Sequence, residues 1–389
     1  MTERVIIPTA MQITLDDLGW HDGRDLRYFG KASRSGLPRM HAVEDYKIVN
    51  ELGRAINQKI LGKLCLGDWD KDNILRGEVG LTHNPHNWDR ASEMDMEYAR
   101  ACFEAMESAE YIDYAVHSNM HGTYGPNGEM IREGENYEPD PENPGKSRPI
   151  SAAEFKRRIE LFFRIYESWG FKKPLKIFGF PCGMPAYITP EQLSGLNEEM
   201  YKHGIKFCHT FWANHREPDE LFAPTRYVGR CADAPKFPWE AYDVDPRFAA
   251  DFMKPGQKGV WGTVIWHWTN LVRYNPENDM ENLPKWVEWV NKQAEIFGCM
   301  ISRDFIFSAN QQLYHSFASV SDEGDRVVVD LSYIASRKLE EYTKEFYISF
   351  KHGTEPKECL GGEISLYEQK RDFKTYKVTH TEDKIIIKI

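Results

Sequence analysis

Four stretches of the sequence carry side chains that could do chemistry. The first is Asp16-Asp17, which follows the apolar run Met11-Gln12-Ile13-Thr14-Leu15 and precedes Leu18-Gly19-Trp20. Two adjacent carboxylates repel, and one pKa rises unless a cation neutralises them, a conflict that a divalent metal resolves. Successive side chains on a strand point to opposite faces. Both acids reach one site only if the chain bends after the strand, where Gly19 supplies freedom. The plainer reading is an acidic pair at a strand-to-loop junction, one acid capping the next segment and one solvated. The second stretch is His117-Ser118-Asn119-Met120-His121, after an apolar run ending in Ala115-Val116. Two imidazoles at i, i+4 share a face of a helical turn and can hold one ion. On a straight strand they would stand about 13 Å apart, too far for a shared ion. The motif therefore needs a strand that ends at His117 and turns at once, which Gly122 permits, although an HxxxH also arises by chance in a chain with 13 His. It is not the zincin HExxH, because Ser118 stands where the Glu would be. The third is His267, directly after the apolar run ending in Ile265-Trp266, otherwise an ordinary core or rim histidine. The fourth, FGFPCGMPAY at 178–187, is a strand running into a Gly/Pro turn. Such a turn can present backbone N–H groups to an anion, or simply reverse the chain.

These groups need a scaffold that gathers strand ends. Strand-like runs at 11–15, 60–67, 111–116, 174–180, 205–211 and 260–266 alternate with helical stretches at 43–58, 90–109, 151–169, 190–203 and 283–297. In 151–169, Phe155, Ile159, Phe162, Phe163 and Tyr166 fall on one helix face, with Ser151 as N-cap and Glu154 completing a capping box. This alternation predicts an α/β chain built of βα units around a parallel sheet, a (β/α) barrel, either complete or else incomplete or distorted. Functional groups of such a sheet collect at the C-terminal ends of its strands. Residues 122–150, rich in Gly, Pro, Asn and Glu, read as a lid over the site or as a disordered surface insertion. From about 300 onward, period-two runs separated by turns such as Gly361-Gly362 predict a small antiparallel β-sandwich-like domain. The expected division is therefore 1–300 and 301–389.

Composition narrows the function. The 389 residues are 41% hydrophobic and 28% charged, with a net charge of −11. That balance disfavours nucleic acid, whose phosphates need clustered Lys and Arg. Seven scattered Cys without CxxC spacing argue against a disulfide framework or a structural zinc site and for a reducing compartment. No stretch approaches the ~18 apolar residues of a membrane span, and the N-terminus reads as free of a signal peptide. The expected location is cytoplasmic, with no membrane partner. The 11 Trp, 19 Tyr and 21 Phe suit sugar rings, and suit plain cores better.

Taken in order, Thr14-Leu15-Asp16-Asp17, His117-Ser118-Asn119-Met120-His121, Phe180-Pro181-Cys182-Gly183 and Ile265-Trp266-His267 each close a predicted strand. Together they resemble the NodB-type polysaccharide deacetylases, carbohydrate esterase family 4, over about residues 11–268. The resemblance implies a NodB-like barrel of the glycoside hydrolase/deacetylase group and a metal-dependent removal of acyl groups, acetyl above all, from N- or O-acylated sugars. It implies one divalent metal ion, zinc before other transition metals, held by Asp17, His117 and His121. It places Asp16 as the general base acting on water, His267 as the general acid toward the leaving group, and the Cys182 backbone N–H at the oxyanion. The chain departs from the family where Gly179 replaces an Arg that orients the base and Cys182 replaces a Tyr, and no clear aspartate–tryptophan motif is found in 233–245.

Asp22, Asp68, His83 and His86 are spare candidates, the two His sitting in a Pro/Asn turn that reads as loop. A metal-free glycosidase would instead pair Asp16 with Asp68 or Asp243, at about 5–5.5 Å if retaining or 6.5–9.5 Å if inverting. A carbohydrate-binding relative without catalysis is the third reading. The expected partner in each case is a small-molecule or oligosaccharide substrate.

Overall fold

In the computed structural model, residues 4–19, 40–210 except 184 and 186, 226–229, 232–233, 263–267, 271–337 except 274, and 343–389 are described. The chain enters through a short strand, β1 (Val5–Ile6), and then β2 (Ala10–Leu18), which is buried along its whole length. Strands β3 (Ile60–Cys65) and β4 (Ile112–Ser118) follow, and the segment after β4 forms two hairpins. These are β5 (Gly122–Tyr124) with β6 (Met130–Glu133), and β7 (Tyr137–Pro139) with β8 (Ser147–Pro149). Then come β9 (Ile177–Gly179), β10 (Phe207–Thr210), β11 (Arg226–Gly229), β12 (Ala232–Asp233), β13 (Thr263–His267) and β14 (Met300–Ile301). The parallel sheet runs β11-β10-β9-β4-β3-β2-β13-β12, with β14 also pairing β2. Its β3 and β4 are mostly apolar, Lys63, Asp113 and the closing His117-Ser118 apart, because both faces of a parallel sheet are covered.

The sheet is curled. His209 of β10 and Thr263 of β13 lie five strands apart in the sheet order, yet the His209 Nε2 is 3.0 Å from the Thr263 Oγ1. Among the described residues β11 and β12 are its two ends and do not pair with each other. Helices Val43–Ile56, Met96–Ser108, Ala152–Trp169, Pro190–Lys202 and Leu283–Phe297 join the strands. Their apolar faces share one core with the sheet, including Tyr46, Leu52, Met106, Phe162, Leu196 and Trp286. Much of the aromatic supply is spent here: Trp266, Trp286 and Trp289 pack together with ring centroids 4.4 to 5.9 Å apart. The face expected on 152–169 is buried at Phe155, Ile159, Phe162 and Tyr166, with Phe163 at its margin.

The capping box expected there forms by half. Ser151 Oγ accepts the Glu154 N–H, but the Glu154 carboxylate turns to Arg157 and Arg158, and the Ser151 N–H donates to Glu138 instead. Residues 122–150, read as a lid or as a disordered insertion, fold into the two hairpins, with Tyr124 and Glu138 buried within them and Glu135 and Asn136 buried between them.

After β14 a helix, Phe305–Phe317, lies where the sequence suggested strands alone. Its Phe305 and Ala309 close one end of the barrel against Leu61, Ala115, Ile177 and Phe207. Its polar side chains are also buried: Gln311 bonds the backbone of Pro8 and Tyr347, and Ser308 bonds the Ala10 carbonyl. The remaining strands, β15 (Ser319–Asp322), β16 (Arg326–Asp330), β17 (Glu345–Lys351), β18 (Glu358–Leu360), β19 (Gly362–Gln369), β20 (Phe373–His380) and β21 (Lys384–Lys388), form two antiparallel sheets. Their orders are β1-β17-β20-β19 and β15-β16-β21-β18, and they face one another across Val327, Val329, Phe346, Ile348, Ile385 and Ile387. The sandwich thus borrows β1 from the N-terminus. No helix among the described residues is long and apolar enough to cross a membrane.

Candidate metal centre

Asp16 and Asp17 lie inside β2, not after it. The pairing of β2 with β3 slips between Leu15 and Leu18, a bulge that contains both acids. A bulge bends the strand and re-aims its side chains, which frees the pair from strict alternation. Asp17 takes a left-handed backbone, φ 62°, and Gly19 follows at φ 89°. The pairing of β3 with β4 slips in the same way, between Leu64 and Cys65, which skips His117. The chain then bends through Asn119–His121, with His121 at φ 60°. The turn required by the HxxxH spacing therefore comes one residue later than His117.

These distortions converge. Asp17 Oδ1 stands 3.1 Å from Nε2 of His117 and 3.3 Å from Nε2 of His121. All three residues are buried, Asp17 and His117 at 1% exposure. His117 Nδ1 lies 2.5 Å from the Gly179 carbonyl oxygen and donates to it, so Nε2 is the nitrogen turned toward Asp17. Ligands at ~2.0–2.1 Å around one tetrahedral ion stand about 3.3 Å apart, which matches the two Asp17–histidine distances, although His121 also clusters with Glu133 and Cys182 rather than with Cys65.

Backbone strain marks the same place. Among the described residues five non-glycines have positive φ: Asp17, Asn57, Asn73, His121 and Cys182. Asparagine tolerates that region. Aspartate shares that tolerance, whereas His121 and Cys182 hold it at a cost of about 1–3 kcal/mol each, a pattern concentrated at functional sites.

The HxxxH turn is held from below by Glu135. Its Oε1 accepts the Asn119 backbone N–H at 3.0 Å and the Asn119 side-chain amide at 2.8 Å, and its Oε2 accepts the Met120 N–H at 2.7 Å. Arg158 in turn donates to the Glu135 carbonyl at 2.7 Å. Asp16, beside Asp17, faces Lys63 of β3, whose Nζ is 2.6 Å from Asp16 Oδ1. His267 ends β13 with its backbone paired opposite Asp16. Cys182 sits in the turn Phe180–Gly183, which is closed by a Gly183 N–H bond to the Phe180 carbonyl.

Sequence reasoning missed Glu135, Lys63 and Cys65. Cys65 lies 3.7 Å from Asp17 Oδ1 and 3.0 Å from Ser118 Oγ, and burial together with Asp17 pushes its thiol well above the ordinary range. Donor atoms of Asp17, Cys65 and His117 fall within 4.8 Å of one another, as do those of His121, Glu133 and Cys182. A lysine in an otherwise apolar strand run was the available signal for Lys63, since buried ammonium groups require a partner. Asp68 is buried in a short 3-10 turn after β3. His83 packs edge-on to Trp88 and His86 is exposed, so the Pro/Asn turn is loop structure. Asp22 and Asp243 lie outside the described residues.

No family model matches the chain, and no curated protein matches it. Among solved structures it is similar to a GH57-type branching enzyme from the hyperthermophilic archaeon Pyrococcus horikoshii. The identity is 11% and the TM-score 0.33, over 76% of this chain and 69% of that one. It is also similar to an endogalactoceramidase, at 9% identity and TM-score 0.31, over 98% of this chain and 96% of that one. Likenesses of this size carry no inference about this chain.

Proposed function

We propose that the chain is a divalent-metal-dependent hydrolase that removes an acyl group from an N- or O-acylated carbohydrate. The reading rests on Asp17 Oδ1 meeting both His117 and His121 Nε2 within 3.3 Å, where a bulged strand gives Asp17 and a tight turn gives His121 a left-handed backbone. Asp17, His117 and His121 would hold the ion. When bound, a zinc-type ion supplies Lewis acidity to an acyl carbonyl and lowers the pKa of water to about 7. Asp16 is the base, taking a proton from water on its carboxylate. His267 is the acid that returns a proton to the departing amine or alcohol. The Cys182 N–H is assigned to the oxygen that gains charge as the carbonyl is attacked. Tyr187, exposed just beyond the Cys182 turn, offers a flat face to a sugar ring.

A glycosidase reading keeps the carbohydrate substrate and changes the bond broken. It is supported by a second buried carboxylate, Asp68, at the end of the strand next to Asp16. The two readings separate in one assay on acetylated oligosaccharides. Acetate release that stops with a chelator and returns with zinc, with chain length unchanged by mass spectrometry, is the expected result. Shortened chains produced in the presence of chelator would establish the glycosidase instead.

A further inference from the structure

We infer that Lys63 is the positioning residue for the Asp16 carboxylate, and that Gly179 is glycine because Lys63 needs its space. The inference rests on the proposed role of Asp16 as base.

Lys63 leaves β3 toward the barrel interior and its side chain is only 3% exposed. An ammonium group taken out of water is costly unless a counter-charge meets it, and an apolar residue of similar volume would serve the fold as well or better. Lys63 meets its counter-charge at Asp16 Oδ1, with 2.6 Å between the heavy atoms, at the short end for a charge-assisted bond. The pair joins β3 to the bulge of β2, the one stretch of that strand where alternation does not fix side-chain direction. The contact sets the direction in which that carboxylate oxygen points.

The path of the lysine is shaped by a residue two strands away. A Cβ at position 179 of β9 would lie 2.5 Å from Lys63 Cδ, 3.0 Å from Cε and 3.4 Å from Nζ. Gly179 is not in the left-handed region, so the need is for room rather than for glycine's backbone freedom. The Gly179 carbonyl also receives His117 Nδ1. One residue therefore holds a proposed metal ligand through its backbone and admits the base's partner through its missing side chain. Lys63 touches Asp16 and acts through it.

The test uses zinc-loaded protein and 4-nitrophenyl acetate, with Asp16→Asn as reference. Lys63→Met should lower kcat by about 100-fold, in line with losing an oriented base, with KM changed less than twofold. Zinc stoichiometry and affinity by calorimetry should match wild type. Lys63→Arg should restore part of kcat. Gly179→Ala, with Lys63 intact, should lower kcat in the same direction by displacing the lysine, and its crystal structure should show the Asp16–Lys63 contact broken. Wild-type kcat in Lys63→Met, while Asp16→Asn is inactive, overturns the inference and leaves the functional reading standing. Loss of zinc binding or a rise in KM alone in Lys63→Met overturns it in favour of a structural or substrate-binding role. If wild type shows no zinc-dependent hydrolysis, or Asp16→Asn is fully active, the functional reading falls and the inference with it. Should Lys63→Met fail to fold by circular dichroism, Lys63→Arg and Gly179→Ala decide: unchanged kcat and an intact contact in Gly179→Ala refute the inference.

Discussion

Glu135→Gln is the perturbation that most cleanly separates the support of the site from the site itself. Glu135 is 6% exposed and accepts three hydrogen bonds, all from Asn119 and Met120, the residues between the two histidines. Glutamine keeps one acceptor oxygen, which can serve both Asn119 donors. Its amide nitrogen then faces the Met120 N–H, donor against donor, in a buried place. Leaving one buried donor unpaired costs about 1–3 kcal/mol, more when the lost acceptor was charged. A loss of about 2 kcal/mol is therefore expected, read as a lower urea midpoint with an unchanged slope. The second effect is local. His121 hangs from that turn in a left-handed conformation that the surroundings must enforce. Zinc affinity should fall about 10-fold, the lower end of what an outer-shell support contributes. Titration of zinc against a chromophoric chelator measures it. Wild-type midpoint and wild-type zinc affinity in Glu135→Gln would refute the reasoning, because the turn would then hold its shape without the carboxylate.

Three further outcomes follow from other parts of the structure. Phe305→Ala, which empties the barrel end where Phe305 meets Phe207 and His209, should cost about 3–5 kcal/mol in urea unfolding; a cost under 1 kcal/mol would mean the helix does not close the barrel. Glu154 is pushed up by burial, but Arg157 and Arg158 outweigh that and hold it below its ordinary value of 4.5. It therefore contributes stability above about pH 4.5 that is lost as pH falls through the lowered folded value, so Glu154→Gln should flatten the acid limb of the melting curve and leave its shape at pH 7–8 alone. In native protein at pH 8, iodoacetamide should label exposed Cys182 long before Cys102, whose thiol burial pushes up to about 12; peptide mapping that finds Cys102 labelled first would contradict the buried placement.

Much of the barrel was legible because its signals are local. The 3.6-residue spacing on 152–169 and the apolar run at 60–67 each report what their own residues must bury. The strand-end position of His267 followed from the same signals, whereas Asp16-Asp17 and His117 lie within the last residues of β2 and β4, before the strands end. What escaped needed non-local knowledge. The helix Phe305–Phe317 buries Asn310, Gln311 and Gln312 between barrel and sandwich, so it lacks the polar outer face that would have announced it. The N-terminal β1 completes a sheet whose other strands lie over 300 residues away. The two bulges are slips between neighbouring strands, invisible in either strand alone. Glu135 looked like one acid in a Gly/Pro-rich insertion, and only the hairpins bring it beneath the HxxxH turn. Gly179, where the chain departs from the deacetylase pattern, had no visible compensation in sequence, because Lys63 lies more than 100 positions earlier.

The central claim is that Asp17, His117 and His121 hold one divalent ion. Elemental analysis of purified protein, after dialysis against metal-free buffer and one equivalent of zinc, tests it most directly. The account predicts about one ion per chain in wild type and in Asp16→Asn, and near none in Asp17→Ala, His117→Ala or His121→Ala variants that remain folded by circular dichroism. Equal metal content in wild type and the three ligand variants would contradict it.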